Sequence, residues 1–525
     1  MKKGGVLVLV LLCAPVVRAQ GPEPIAPPGG KLIKDQWDAA YLDGHRAGYV
    51  RLKVEEMPGT AGQKTMRVTQ EMDLRVRRGS DIARIPVLTG TEETADGKVA
   101  AVFMIQGLGQ NVTQELHGKV EGNELVVKAV GKQANFEKRI PWNPRVVSAL
   151  GELDLLRKRN PPPKPGDKFD YLTYNPVVNT IVTVHVGIDH EEDVTINTVG
   201  GAQRLKLLRV TMVPDEIEGV QLPSQIVWYD SDFEIRKSLS NLPGVGFLAT
   251  ERSTAAYAQQ PIAPQNLPDI MDRQSIKLKQ RILSAHIQPA LRYRITLNDR
   301  EPSKTFAVDK RQSVSDVEGK SFVLNVTAIR QPPAVRSAGA VEPDMKFTDS
   351  NYFLTSDDAK VKEHAAKAVG NETDPWTKAL RIENWVNRNM RVQNFTEAMA
   401  PAFEVARTLT GDCTEYSMLA AAMCRAAGVP SRTAIGLVYV DAPQPRQPFF
   451  GFHMWTEVWV NGEWVAIDAT LGQGGIGAAH LKIADASWHD TRSMTPLLPI
   501  MRVLMAQPQI EVLAPKARAV VTPPR

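Results

Sequence analysis

Hydrophobic and polar positions alternate with a period of two through most of the first half of the chain. Tyr49-Val50-Arg51-Leu52-Lys53-Val54 sets the pattern, and residues 66–76, 99–106, 124–130, 180–186 and 205–213 repeat it. Successive side chains of a strand point to opposite faces, so this alternation, rich in β-branched residues, predicts strands with one buried face. Turns rich in Gly and Asp, such as Ala95-Asp96-Gly97, separate several of them. Residues 32–258 therefore read as consecutive antiparallel strands, forming either one large curved sheet or two similar halves. One helix is predicted inside the run, near 145–157. It ends at Asn160-Pro161-Pro162-Pro163, because proline lacks the amide hydrogen a helix needs.

Beyond residue 258 the pattern changes. A Pro-rich linker (259–268) precedes a predicted helix over 270–286 and a small β segment over 291–329, and residues 331–343 form a boundary. Apolar positions then recur at helical spacing over 357–369 and 376–390, the second opened by Asp374-Pro375 as cap and first residue. A short helix (402–409) follows, then one starting at Cys413 whose Tyr416, Leu419, Ala420, Met423 and Ala427 mark a buried face. Gly428-Val429-Pro430 stops it. Strands are predicted over 432–440, 452–460 and 463–470, with another beginning at His480. The expected organisation is a segment 1–20 to be removed, a β-rich domain over 32–258, a linker helix and small β module over 259–335, and a mixed domain over 345–515. The fold class is α+β, with the helices concentrated C-terminal to a large antiparallel β-rich region.

Composition adds limits. Of 525 residues 43% are hydrophobic and 23% charged, which excludes disorder as the default. Lys2-Lys3, the apolar run from Val6 to Cys13 and Val17-Arg18-Ala19 have the layout of a secretory signal peptide. The apolar run is shorter than the roughly 20 residues that span a bilayer, which disfavours an anchor. Bulky Leu11-Leu12 disfavours lipidation at Cys13. The expected location is exported, periplasmic or extracellular. Loss of Lys2, Lys3 and Arg18 lowers the formal charge from +5 by three to +2, no signature for nucleic acid. Cys413 and Cys424 remain. On one helix they stand about 16 Å apart, beyond the roughly 7 Å reach of a disulfide. Cys424, inside Leu419-Ala420-Ala421-Ala422-Met423, reads as a small buried hydrophobe. Cys413, among polar residues, does not.

Cys413 sits where the positive end of a helix macrodipole favours thiolate over thiol. Downstream, Asn461-Gly462 signals a two-residue hairpin turn. That turn sets Val460 opposite Glu463, so counting back places His453, Trp455, Asp468 and Thr470 on one face, with Asp468 diagonal to His453. A carboxylate beside a histidine fixes its tautomer while the other ring nitrogen takes a thiol proton, so Cys413, His453 and Asp468 are the candidate catalytic residues. The backbone N–H of Cys413 is the leading oxyanion donor, with Gln393 or an indole as alternatives. Trp455 and Trp459 share the parity of His453 and are either core residues or the wall of a substrate channel. His480 and His489 are expected to be structural or exposed. No zinc-spaced Cys/His set, phosphate loop or EF-hand loop is present, and neither cofactor nor metal is expected.

Four blocks carry a resemblance. Gly411-Asp412-Cys413-Thr414-Glu415-Tyr416, Cys424 to Arg432, His453-Met454-Trp455-Thr456-Glu457-Val458 and Trp464 to Thr470 together resemble the transglutaminase-like superfamily, over about residues 350–485. The resemblance implies a papain-like core with Cys413 as nucleophile, His453 as base and Asp468 as orienting acid. It also implies a hydrolase or acyltransferase that works on a carboxamide in protein, peptide or cell-wall material through a thioester, with water or an amine as acceptor. The reading from another class is a noncatalytic binding or scaffold protein of the cell envelope that keeps the domain only as a fold.

Overall fold

The computed structural model describes residues 29–58, 64–78, 81–107, 113–130, 137–198, 200–217, 219–242, 245–270, 273, 275–392, 399–442, 447–489 and 495–513. The expected signal segment and Gln393 lie outside them. Strand accounts for 48% of the described residues and helix for 18%, an α+β protein dominated by its sheets.

The alternating first half forms a single antiparallel sheet of 14 strands. From Lys31–Leu42 the chain meanders outward through seven further strands to Glu137–Pro141. It then jumps to the far end of the sheet and meanders back from Lys168–Asn175 to Gly246–Ser253, which pairs with the first strand from Trp37↔Ser253 to Leu42↔Leu248. The two anticipated halves are thus two meanders zipped into one sheet. The sheet curls until its ends meet. Ile140 and Tyr174 share one apolar cluster, and Val146 bridges to Leu172. The helix predicted over 145–157 is shorter than expected, Ala149–Leu153, capped by Ser148, whose Oγ accepts the Gly151 N–H. Pairing at Val146 withholds the first turn from the helix.

The helix predicted over 270–286 is not formed. Ser275–Lys277 is instead a strand, with Ser275↔Gly451 and Lys277↔Phe449 in register, and Ala285–Ile287 is a single 3-10 turn. Ile276 and Leu278 are buried while Lys277 and Lys279 are not, a period of two that a strand satisfies. The edge of the Phe449–Val460 strand supplies hydrogen-bond partners that local propensity cannot foresee. The small β segment is a sheet ordered Gln312–Glu318, Ser321–Thr327, Ala290–Thr296, Gln509–Leu513, so the last described strand returns to it.

The C-terminal helices follow expectation closely: Ala359–Val369 capped by Asp358, Pro375–Asn389 capped by Asp374, Ala402–Thr408 and Cys413–Ala426. Every residue from Cys413 to Arg425 is buried, making this the central helix of the domain. It packs on a sheet ordered Ser275–Lys277, Phe449–Val460, Ser431–Val440, His480–Ala486, with Glu463–Ile467 hairpinned onto Phe449–Val460. The hairpin register is the expected one, Val460↔Glu463 through Thr456↔Ile467. Asn461 and Gly462 both have positive φ, 52° and 85°, as this turn requires.

Gly436, opposite His453 in the sheet, is held to glycine by close approach. A Cβ there would lie 2.1 Å from the Leu481 carbonyl oxygen and 2.9 Å from the Trp455 ring. Gly436→Ala is therefore expected to destabilise the protein by about 2–3 kcal/mol, the overpacking range, read as a lower urea midpoint at unchanged slope.

Candidate active site

Three elements converge on one buried carboxylate. Asp412 caps the helix that Cys413 begins, its Oδ1 accepting the Thr414 N–H at 2.9 Å, and Glu415 Oε2 reaches back to the Asp412 N–H at 3.0 Å. This reciprocal capping fixes the helix start, so Cys413 stands at the positive end of the macrodipole. Ser417, one turn on, holds the helix against the next strand. Its Oγ lies 2.7 Å from the carbonyl oxygens of both Cys413 and Met454, which share its one hydrogen. Thr456 Oγ1 donates to the Ser417 carbonyl at 3.1 Å.

His453, fully buried on that strand, places Nε2 2.7 Å from Asp468 Oδ2. A carboxylate only accepts, so Nε2 carries the hydrogen. Nδ1 makes no geometrically complete hydrogen bond, and it is the nitrogen left for the thiol. Burial opposes charging the imidazole. The charge and hydrogen bond of Asp468, followed by the contribution of Cys413, outweigh it and raise the proton affinity well above that of free histidine. Asp468 is 1% exposed, yet burial is overcome by the charge and hydrogen bond of His453 and by the hydrogen bond of His480, which hold it far below the usual carboxylate range. Its other oxygen, Oδ1, accepts the N–H groups of Thr470 at 2.9 Å and Leu471 at 3.3 Å. The three residues singled out in the sequence are thus gathered at one place. Cys424 lies deeper on the same helix, and burial pushes its thiol up out of the reactive range.

Two neighbours were missed as site residues. His480, anticipated to be merely structural or exposed, is fully buried and donates Nε2–H to the same Asp468 Oδ2 at 3.0 Å. Glu383 falls within the helix predicted over 376–390. It is buried, and its Oε1 accepts the Asp468 N–H at 3.0 Å. A charged residue on the apolar face of the Pro375–Asn389 helix was the available signal. Burial raises the Glu383 carboxyl to about 7, against backbone N–H groups of Asp468, Gly475 and Gly474 that favour its charge. Trp455 is buried among Ala434, Ala466 and Ile476, stacked 6.2 Å from His453, so it is core and not channel wall. Its Nε1 is buried without a hydrogen-bond partner.

His453, Asp468 and His480 offer ligand atoms within 4.8 Å of one another. Both imidazole nitrogens stand 2.7 and 3.0 Å from a single oxygen. That is closer than the about 3.3 Å between two ligands of a tetrahedral zinc, and it is the spacing of hydrogen bonds.

Residues 362–469 match the profile of the transglutaminase-like superfamily. This segment is a transglutaminase-like core domain. An uncharacterized protein of Haemophilus influenzae is 27% identical over 156 residues, covering 27% of this chain and 42% of that protein, so the chain spans less than half of that relative. Similar solved structures include a candidate cysteine protease from Cytophaga hutchinsonii (19% identity, 43% of this chain, 81% of that chain, TM-score 0.28). A β-barrel-like protein of unknown function from Brucella abortus (12%, 43% of this chain, 97% of that chain, 0.31) is another. The periplasmic domain of TgpA from Pseudomonas aeruginosa (13%, 41% of this chain, 87% of that chain, 0.26) is a third. No helix among the described residues is long and apolar enough to cross a membrane.

Within the transglutaminase-like domain Glu383 gives a pH signature. Its carboxyl ionises near 4.5 when unfolded and near 7 when folded, so between these values the folded state holds the extra proton and stability falls as pH rises. Glu383→Gln keeps an acceptor for the Asp468 N–H. It is expected to flatten that decline, worth about 3 kcal/mol for a shift of this size, in urea unfolding compared at pH 4.5 and 7.5.

Proposed function

We propose that the transglutaminase-like domain is an active cysteine acyl-transfer enzyme of an exported protein, with Cys413 as nucleophile, His453 as acid and base, and Asp468 as the group that orients His453. The observation that carries this reading is the division of labour on His453: Nε2 is bound to a buried carboxylate while Nδ1 is kept for the thiol at a helix start. A protein retaining the domain only as a scaffold has no need for a buried carboxylate that favours imidazolium next to a cysteine.

In the proposed cycle the Cys413 thiolate adds to the carbonyl carbon of a carboxamide, and the negative charge that develops on oxygen faces the N-terminal end of the helix. The C–N bond breaks as His453 Nδ1–H gives its proton to the departing nitrogen, leaving a thioester on Sγ. The now neutral Nδ1 takes a proton from water or an amine as it attacks the thioester. The C–S bond breaks, the carboxylic acid or new amide leaves, and the thiolate–imidazolium pair is restored. Asp468 keeps Nε2 protonated throughout, so each transfer uses Nδ1.

Cys413 is expected to react with iodoacetamide at pH 7 well above the rate of an isolated thiol, and Cys413→Ala to abolish the labelling. Asp468→Asn should slow labelling and any amide turnover by on the order of 10²-fold or more, the usual worth of a positioned acid–base group. A labelling rate equal to that of an isolated thiol would remove the reading's main support. Mass spectrometry of a glutamine peptide incubated with a primary amine distinguishes the acceptors. A gain of the amine marks transamidation, and conversion of glutamine to glutamate marks hydrolysis.

A further inference from the structure

The Asp468 carboxylate is approached by two imidazoles, and the reaction proposed above uses only one. His480 opens the His480–Ala486 strand, on the far side of Ser431–Val440 from His453. Val438 faces His480 and Gly436 faces His453, so the two histidines project from strands that are not neighbours. Their rings meet because Gly436 contributes no side chain between them. The Trp455 ring fills the space instead, stacked on His453 and edge-on to His480 at 5.4 Å. The imidazole centroids are 5.8 Å apart, and both Nε2 atoms point at Asp468 Oδ2.

We propose that His480 is a positioning residue of the Cys413 centre, which holds Asp468 Oδ2 in place and takes a share of its charge so that His453 can still release its proton. This rests on the reading of Cys413, His453 and Asp468 given above. Asp468 only accepts, so His480 Nε2 bears hydrogen, and the ring is neutral with Nδ1 unpartnered. Burial keeps it neutral, lowering its proton affinity to about 4, and the nearby His453 and His286 oppose a charge while Asp468 favours one. The ionisable groups around the ring are Asp468, His453 and His286, whose ring centroid lies 5.9 Å away. Arg311 donates to the backbone carbonyls of Gly477 and His480, and Lys482, two residues on, is engaged by Glu457 and Asp485.

A neutral donor stabilises a carboxylate most when no cation is beside it. Donation from His480 therefore favours the state in which His453 has lost its proton and brings the His453 titration down. Without His480 the whole charge of Oδ2 acts on His453, and the imidazolium persists to higher pH. An oxygen that accepts one hydrogen bond in place of two is also less constrained in angle.

The test follows the His453 imidazole by ¹⁵N NMR between pH 5 and 11 in the full chain carrying Cys413→Ser and Cys424→Ser, with and without His480→Ala or His480→Gln. Because Cys413 is absent, the result does not depend on whether it is a nucleophile. His480→Ala is expected to raise the His453 midpoint by about one pH unit, the worth of one hydrogen bond to a charged group. His480→Gln, whose amide can donate, should restore it. An unchanged midpoint in His480→Ala overturns the proposal, as does an equal shift in both variants, which would make His480 a packing residue. In parallel, pH profiles of iodoacetamide labelling in Cys424→Ser should show the alkaline limb moved up in His480→Ala and returned by His480→Gln. If NMR shows the shift while wild-type labelling is that of an isolated thiol, the positioning role stands and the catalytic reading fails. Circular dichroism identifies any variant that has lost its fold, and His480→Asn then takes its place.

Discussion

A carboxylate removed from water keeps its charge only where donors replace the lost hydration. Asp468 has four such donors, the imidazoles of His453 and His480 on one oxygen and the N–H groups of Thr470 and Leu471 on the other. Three constraints supply them. The Asn461-Gly462 turn places Asp468 beside the His453 strand, Gly436 clears the path to His480, and the turn after Asp468 folds its own amides back onto it. Glu383 then fastens the Asp468 backbone to the Pro375–Asn389 helix. The candidate site is the place where the helices, the hairpin and the sheet all satisfy one buried charge.

The helix carrying Cys413 is tied to this arrangement by hydroxyls as well as by apolar packing. Ser417 and Thr456 connect the first turn of the helix to the His453 strand through backbone carbonyls, which are fixed in space where side chains would swing. At the other end of the helix, Arg425 donates to the carbonyls of Ser431, Asp349 and Ser487, spreading a buried cation over backbone oxygens. Burial brings its proton affinity down to about 10, still high enough for it to stay charged at neutral pH. Polar contacts set position and angle here, and the apolar face of the helix supplies the bulk of the burial.

Much of this could be read in the residues. Alternation marked the long sheet, Asp374-Pro375 marked a helix start, and the hairpin turn alone was enough to bring His453 and Asp468 onto one face. What escaped was set by partners distant in sequence. Within the expected helix, Ser275–Lys277 became a strand because Phe449–Gly451 offered an edge. His480 looked ordinary because its partner Asp468 lies beyond the end of another strand, Glu463–Ile467, and only the missing Cβ of Gly436 lets the rings meet. Glu383 was legible as a charge at an apolar position, and its purpose was not. The transglutaminase-like region had short-range signals for each element, whereas the order in which the sheet strands pair could not be inferred from any of them.

That pairing order bears on how the chain comes to be folded. The first strand, Lys31–Leu42, pairs with Gly246–Ser253, so the outward meander has an unpaired central edge until more than two hundred further residues have been made. Backbone amides along that edge are a template for any passing strand. A chain emerging N-terminus first holds this hazard open throughout synthesis of the returning meander, and loop closure over such a separation is slow. Residues 31–42, early in the chain, are the segment whose edge waits longest for its partner.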